Sequence, residues 1–242
     1  MWADLSNTDQ GTFKMSEIFA LKLSPDTEKT KFNELLKFVG SEKRLKINRF
    51  VRHEDAQRAL FAEILIRYII CNKLKVKNDM IVLNKDNYGK PFLKGFKDFH
   101  YNLSHSQKWI VCAVDNLPIG IDVEAVRPIE TDIARRFFSR EEYENLISKE
   151  IHERTAYFFE LWTLKESYIK AWGKGLSVPL DSFTVRSNAM GIEVYTKNEF
   201  NKCFFKQYQI DPKYKMAVCA QKEDFPDKIV MKGLEELWNF FN

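Results

Sequence analysis

The sequence predicts an α+β protein made of two halves, each with helices beside a small, mostly antiparallel sheet. Short alternating runs and windows of helical periodicity follow one another in a similar order twice, on either side of the turn DNLPIG at 115–120. A chain of 242 residues suits one large domain or two small ones. We expect a loose extension over 1–16, a first half over 17–116 and a second half over 117–242.

The first half is predicted to begin with a strand, because EIFALKLS alternates apolar and polar residues. A helix is expected between Ser24, as its cap, and Gly40, where it ends. A long helix follows over 53–73, since its apolar residues recur at helical spacing. The remaining expected elements are short strands around 80–84, 99–103 and 108–115.

The second half is predicted to open with a strand at GIDVEAV. Ser139 and Glu142 form a capping-box pattern, which marks the start of a helix. The next helix is expected over about 151–172, where GKG ends it. The other expected elements are strands around 182–187, 191–196, 203–210 and 214–220 and a last helix over 233–241. The two halves share an order of elements but no sequence repeat.

The composition excludes several classes of protein. Hydrophobic residues at 45% and charged residues at 30% are typical of a globular domain, and no apolar run reaches 18 residues. The first fifteen residues lack the features of a secretory signal. Four scattered cysteines without a CxxC pair argue against structural zinc and favour a reducing cytoplasm. A net charge of +4 is too small to indicate nucleic-acid binding, so the basic run at 40–58 is either a solvated helix face or an anion-binding surface.

Two acids stand one residue apart in the predicted strand GIDVEAV. Because side chains alternate along a strand, Asp122 and Glu124 share one face while Ile121, Val123 and Ala125 face a core. Neighbouring carboxylates repel each other unless positive charge lies between them. A bound cation would supply that charge, and salt bridges are the alternative.

The helix FFELWTLKESYIKAW carries a third acid. Trp162, Glu166 and Lys170 recur every four residues and therefore lie on one face. A surface ion pair is the simplest interpretation of Glu166 and Lys170, but the aromatic flanks of this helix place the pair beside a core. With Asp122 and Glu124, Glu166 would complete a set of three hard oxygen ligands suited to Mg²⁺.

Two further stretches contain candidate ligand groups. The stretch YNLSHS ends a strand in Ser104 and His105, which can both donate hydrogen bonds to phosphate, although a structural hydrogen bond is the alternative for His105. The turn NYGKP carries a lysine at its tip. Neither GxxxxGK[ST] nor GxGxxG occurs, so a nucleotide would be held without a P-loop or a Rossmann cradle. A Ser-His-Asp triad lacks its GxSxG turn.

Together, GIDVE and WTLKESYIKAWGKGL resemble the paired signature of the 4′-phosphopantetheinyl transferases, (V/I)G(I/V)DxE and (F/W)xxKExxxK. The chain length, FFSxxE, NYGKP and NLSHS are similar to the longer, monomeric surfactin-type (Sfp-like) subgroup. The resemblance covers roughly residues 17–230. It implies two pseudo-symmetric α+β halves with coenzyme A in the cleft between them, and transfer of its phosphopantetheine arm to a serine of an apo acyl or peptidyl carrier protein with release of 3′,5′-ADP.

Residue roles follow from the resemblance position by position. Asp122, Glu124 and Glu166 are implied to bind Mg²⁺, for which Mn²⁺ can substitute, and Lys170 is implied to contact the pyrophosphate. Glu166 or a water that it orients is the implied base. The implied coenzyme A contacts are Lys43, Lys46, Arg58, Ser104 and His105 for the phosphates, and Tyr88, Gly89, Lys90 and Pro91 for the adenine end.

Carrier docking is expected on the second half, after Glu130, where Phe137, Phe138 and Tyr143 either meet a carrier helix or pack in the core. Two other functions use parts of the same pattern. A Mg²⁺-dependent nucleotide phosphohydrolase would also need carboxylates and a lysine, and a nucleic-acid-binding module would use the basic run. The resemblance implies neither, and no membrane or nucleic-acid partner.

Overall fold

The computed structural model of the protein describes residues 15–24, 29–130, 132–188 and 191–242. Two β-sheets lie face to face at its centre, with one long helix outside each. The strands are β1 (Glu17–Lys22), β2 (Leu83–Lys85), β3 (Pro91–Leu93), β4 (His100–Ser106), β5 (Trp109–Asp115), β6 (Ile119–Ala125), β7 (Thr184–Asn188), β8 (Gly191–Tyr195), β9 (Phe204–Gln207), β10 (Tyr214–Ala220) and β11 (Val230–Lys232). The α-helices are α1 (Lys29–Leu35), α2 (Ser41–Ile47), α3 (His53–Leu74), α4 (Asp132–Phe137), α5 (Arg140–Ser148), α6 (Ile151–Trp172) and α7 (Leu234–Phe241).

The first sheet has the order β11-β1-β5-β4 and the second the order β6-β10-β9. All pairings in these sheets are antiparallel except that of β1 with β11, which is parallel. β2–β3 and β7–β8 are separate hairpins. The structure therefore confirms the predicted α+β class with mostly antiparallel sheets.

The strands β5 and β6 supply the apolar core between the two sheets. Ile121 and Val123 are fully buried there with Ile18 and Val111, as the alternation in GIDVEAV predicts. The outer face of the first sheet packs against α3, and α6 packs against β6 and β10. Each half thus has one 22-residue helix outside its sheet.

Local sequence signals mark the start of α5 and the end of α6. The predicted capping box is present at the start of α5, where the Ser139 and Glu142 side chains each accept a backbone N–H from the other residue. α6 ends at Gly173, whose φ of 85° is the left-handed conformation that glycine adopts without a steric penalty. Both α3 and α6 match their predicted ranges closely.

The C-terminal segment crosses the division of the chain that the sequence predicts at 116/117. β11 adds to the first sheet, and Leu237 of α7 is fully buried in the core beneath α3. Trp238 Nε1 also donates to Glu34 Oε2 at 2.5 Å. The C-terminal segment of the predicted second half therefore packs with the first half.

Some expectations fall partly outside the described residues. The helix predicted between Ser24 and Gly40 is described from Lys29 onward, as α1 followed by a 3₁₀ turn that finishes at Phe38, and its predicted start lies in residues 25–28, outside the described residues. Most of the expected extension, residues 1–14, also lies outside them. Ser16, assigned to that extension, is buried and donates a hydrogen bond to the backbone oxygen of Asp224.

Candidate active site

A close approach of α6 to β6 creates the site. Gly120 has no side chain on the face where Asp122 and Glu124 project, and a Cβ there would lie 2.1 Å from the Ser167 backbone oxygen. Only glycine leaves room for the α6 backbone at this point. The α6 backbone therefore passes directly beside the strand that carries Asp122 and Glu124, on the helix turn that also carries Glu166 and Lys170.

Asp122 and Lys170 form the centre of the polar cluster. Lys170 Nζ lies 2.5 Å from Asp122 Oδ1 and 3.2 Å from Ser104 Oγ. Ser104 donates its hydroxyl proton to the same Oδ1 at 2.7 Å. Asp122 is only 3% exposed, and its second oxygen, Oδ2, is buried without a hydrogen-bond partner among the described residues. A buried carboxylate oxygen left in this state is costly unless a cation binds it.

The three acids perturb one another electrostatically. Burial, followed by the charge of Asp122, raises the pKa of Glu124. Burial also raises the pKa of Glu166; the nearby Lys170 charge opposes this shift, and the charges of Asp122 and Glu124 add to it. The cluster therefore holds three carboxylates against the single ammonium of Lys170.

The donor set fits a divalent cation in its chemistry, although the ligand atoms are not already gathered around one point. Within the described ranges, no group of three or more His, Cys, Asp or Glu side chains stands close enough to hold a metal ion. The unpartnered Asp122 Oδ2 and the raised pKa values of Glu124 and Glu166 nevertheless leave the cluster short of positive charge. Carboxylate oxygens are the ligands that Mg²⁺ prefers.

Ser104 and His105 do not meet at one point, contrary to the expectation that both donate to phosphate. They are adjacent in β4, so their side chains lie on opposite faces of the sheet. Ser104 is buried and belongs to the carboxylate cluster, while His105 is exposed. Partial desolvation and then the Arg58 charge lower the pKa of His105, and Arg58 donates to the neighbouring Gln107 backbone oxygen at 3.3 Å. The structure thus brings Arg58 and His105 together.

The other two predicted phosphate contacts lie on α2, a helix that the sequence analysis left unassigned. Lys43 Nζ is 3.7 Å from Glu63 Oε2, and Lys46 Nζ is 2.6 Å from Glu42 Oε1. Arg58 similarly pairs with Asp55. Each of these cations has an acidic neighbour, which reduces the net charge of the basic run.

The turn expected at the adenine end joins β2 to β3. Asp86 Oδ1 accepts the backbone N–H groups of Tyr88 and Lys90 at 2.9 Å, and Gly89 takes a φ of 86°. The Lys90 side chain, expected at the tip, instead turns inward and donates to the Ala171 backbone oxygen at 2.8 Å. Burial lowers the pKa of Lys90 to about 8.

A cavity of about 290 Å³ lies beside this turn, between the two halves. Lys90, Pro91 and His100 line it from the first half, and Pro118 and Trp172 line it from the second. Tyr88 is exposed beside it, with Lys174 Nζ 4.6 Å from its ring centre. Two of the four predicted adenine contacts, Lys90 and Pro91, therefore border this cavity.

The aromatic residues expected either at a docking surface or in the core are mainly core residues. Phe138 is 3% exposed and packs on Phe158, and Phe137 packs edge-on against Trp162. Tyr143 is half-buried against the same core. Ile133, on α4, is exposed.

Sequence reasoning missed Ser106, whose hydroxyl lies 2.8 Å from Glu124 Oε2. The sequence did contain a signal: Asn102, Ser104 and Ser106 alternate along β4, so their side chains share one face, while the neighbouring strand β5 is mostly apolar. It also missed that Lys165 is completely buried with Glu142, 2.7 Å away. The lysine immediately before Glu166 therefore holds the helix in place.

Comparisons with known proteins identify the family to which this chain is similar. Residues 118–219 match the family model of the 4′-phosphopantetheinyl transferase superfamily, and residues 24–117 match that of the 4′-phosphopantetheinyl transferase N-terminal region. The chain is 42% identical to 4′-phosphopantetheinyl transferase Sfp of Bacillus subtilis over 222 residues, 91% of this chain and 99% of that protein. It is 37% identical to 4′-phosphopantetheinyl transferase gsp of Aneurinibacillus migulanus, over 94% of this chain and 95% of that protein.

Proposed function

Because the chain belongs to the 4′-phosphopantetheinyl transferase family, we propose that its carboxylate cluster transfers the phosphopantetheine arm of coenzyme A to a serine of an apo acyl or peptidyl carrier protein. The observation that supports this proposal is the contact of Lys170 on α6 with Asp122 on β6, whose second oxygen is buried without a hydrogen-bond partner among the described residues. The charges of Asp122 and Glu124 also reach Glu166 on α6. The product nucleotide is 3′,5′-ADP.

Asp122, Glu124 and Glu166 are the residues that would hold Mg²⁺. The ion would supply positive charge to the pyrophosphate of coenzyme A, and Mn²⁺ would substitute because it accepts the same oxygen ligands. Asp122 Oδ2 is the oxygen best placed to bind it, since Oδ1 already accepts from Lys170 and Ser104.

In the transfer, the serine oxygen of the carrier forms a bond to the phosphorus that bears the pantetheine arm, and the bond from that phosphorus to the oxygen of 3′,5′-ADP breaks. The serine proton goes to Glu166 or to a water that Glu166 orients. Burial raises the pKa of Glu166, which makes its carboxylate a stronger base. Lys170 donates a hydrogen bond to the departing pyrophosphate oxygen, and holding the groups in place supplies much of the rate.

The first half would hold the nucleotide end of coenzyme A. Arg58 and His105 offer neighbouring donors to a phosphate, and Lys43 and Lys46 add positive charge from α2. The adenine end would lie at the turn of Tyr88, Gly89, Lys90 and Pro91, next to the cavity. Because the Lys90 ammonium is engaged with Ala171, this turn would present its backbone and the Tyr88 ring instead.

The partners follow from this reaction. We propose a monomer in the cytoplasm that acts on carrier proteins and binds neither nucleic acid nor membrane. Every cysteine in the chain is a free thiol. The helices of the described residues include none that is both long and apolar enough to cross a bilayer. The acidic neighbours of Lys43, Lys46 and Arg58 do not favour a nucleic-acid surface.

For the carrier, we propose docking beside α4 and α5, near Ile133.

Mass spectrometry of apo carrier proteins incubated with the enzyme, coenzyme A and Mg²⁺ tests the proposal. We expect a mass gain of one phosphopantetheine arm, together with 3′,5′-ADP, whenever an apo carrier is present. A carrier whose acceptor serine is replaced by alanine is the matched control and should gain nothing. Nucleotide release without any carrier would instead identify a phosphohydrolase.

A further inference from the structure

Three polar side chains of β4 join the two halves of the molecule. β4 and β6 are edge strands of different sheets, so no backbone ladder connects them. Instead, Asn102 Oδ1 accepts from the Ile121 N–H at 2.9 Å, and Ser104 and Ser106 accept from the N–H groups of Val123 and Ala125 at 3.4 and 3.1 Å. We name Asn102, Ser104 and Ser106 the polar ladder.

Each serine of the polar ladder makes a second hydrogen bond, to the acid that precedes the N–H it accepts. Ser104 donates to Asp122 Oδ1 at 2.7 Å, and Ser106 donates to Glu124 Oε2 at 2.8 Å. A hydroxyl has a single proton, so both protons are committed to the carboxylates. Side chains on one face of a strand recur every two residues in both β4 and β6. The same serine–carboxylate contact therefore forms twice, once at Asp122 and once at Glu124.

The first rung of the ladder differs in a useful way. Asn102 also binds a β6 N–H, but the residue preceding that N–H is Gly120, which has no carboxylate. Asn102 therefore joins the strands without touching an acid. It separates the effect of holding β6 from the effect of orienting a carboxylate.

We infer that Ser106 is a positioning residue for Glu124, acting through that carboxylate and not on the substrate. Ser106 carries this role more clearly than Ser104, whose hydroxyl also accepts from Lys170. Glu124 has three rotatable side-chain bonds and lies beside Asp122, so repulsion would turn it away unless a donor held one oxygen. The hydrogen bond from Ser106 to Oε2 restricts these rotations and keeps the Glu124 carboxylate in one orientation. The inference rests on the proposed function, in which Glu124 is a metal ligand.

The test compares Ser106→Val with Ser106→Thr, two residues of similar shape that differ by the hydroxyl. The readout is the dissociation constant of Mn²⁺ in the presence of saturating coenzyme A, measured from the spin-resonance signal of free Mn²⁺. We expect Ser106→Val to weaken Mn²⁺ about tenfold or more and Ser106→Thr to stay within about twofold of the wild type. If neither β-branched residue is accommodated, Ser106→Ala against the wild type gives the same comparison.

Asn102→Ala is the matched control. It should lower the melting temperature by several degrees, roughly as expected for one lost buried hydrogen bond, while the Mn²⁺ constant stays within about twofold. Wild-type Mn²⁺ affinity in Ser106→Val, or equal weakening in Asn102→Ala, would overturn the inference and leave the proposed function intact. A wild-type enzyme that modifies carriers but binds no Mn²⁺ would overturn the metal assignment and this inference together.

Discussion

In the proposed mechanism Glu166 has two tasks, as a ligand and as the group that takes or directs the serine proton. Its pKa is raised by burial and by the other two acids, while Lys170 opposes the shift. Asp122, in contrast, accepts from Lys170 and Ser104, and the proposal assigns it the role of a ligand alone. The two carboxylates should therefore respond differently to substitution.

We expect Glu166→Gln to reduce the rate of transfer about 100-fold or more, because the amide keeps the size and one oxygen but loses charge and basicity. Coenzyme A affinity should fall by a smaller factor, since the lost interaction matters most in the transition state. Single-turnover rates beside calorimetric titrations with and without Mg²⁺ measure both quantities. Asp122→Ala is the comparison variant, and it should bind coenzyme A with little enhancement by Mg²⁺. Near-normal turnover in Glu166→Gln would remove Glu166 from proton transfer.

For individual residues, the sequence correctly predicted which face of β6 each side chain occupies, because side chains alternate along a strand. Asp122 and Glu124 share a face, and Ile121, Val123 and Ala125 lie in the core. The same alternation predicts that the side chains of Ser104 and His105 lie on opposite faces of β4. The expectation that both donate to phosphate considered their hydrogen-bonding groups without this geometry. The inward turn of Lys90 could not be predicted, because its partner, the Ala171 carbonyl, is 81 residues away and becomes available only where α6 ends.

Among the secondary-structure elements, α5, α6 and β7 are held together by one buried ion pair. Lys165 Nζ lies 2.7 Å from both oxygens of Glu142 and from the Phe183 backbone oxygen. Glu142 in turn accepts the N–H of Val185 at 2.7 Å. Because Lys165 and Glu166 are consecutive in α6, this pair helps to fix the helix that carries the third carboxylate.

Glu142→Gln should lower the free energy of unfolding by about 3–5 kcal/mol, because it leaves the Lys165 ammonium buried without a counter-charge. Burial already lowers the pKa of Lys165 to about 8. Urea unfolding monitored by circular dichroism measures the change. The matched control is Glu141→Gln, since the adjacent Glu141 pairs with Arg186 on the surface and should contribute much less. Equal losses in the two variants would show that the buried pair has no special structural role.

The sequence predicted the long helices well and the shortest elements poorly. α3 and α6 have many periodic residues, and Gly173 marks the C-terminal end of α6. β11 has only three residues, and its pairing with β1 joins positions more than 200 residues apart. α2 lies within the basic run, where Ile47 is its buried residue and apolar periodicity is too weak to mark a helix.

In the whole molecule, the two sheets share a core between their faces, and their edge strands β4 and β6 meet at the site. β6 pairs with β10 through backbone hydrogen bonds on one side. On its other side, its N–H groups donate to the polar ladder of β4. β4 also carries His105, so a single strand links the expected phosphate contacts to the carboxylates. The C-terminal segment, β11 and α7, returns to the first half and adds a second connection. These non-local contacts are why the motifs could be recognised in the sequence but their geometry could not.

The central claim is that Asp122, Glu124 and Glu166 act through a bound divalent cation. Removal of metal by exhaustive chelation and gel filtration, followed by mass spectrometry of the carrier, tests it most directly. We predict that transfer from coenzyme A is lost, that Mg²⁺ or Mn²⁺ restores it, and that the metal-free protein keeps its melting temperature within a few degrees. Full transfer by the metal-free enzyme would contradict the claim.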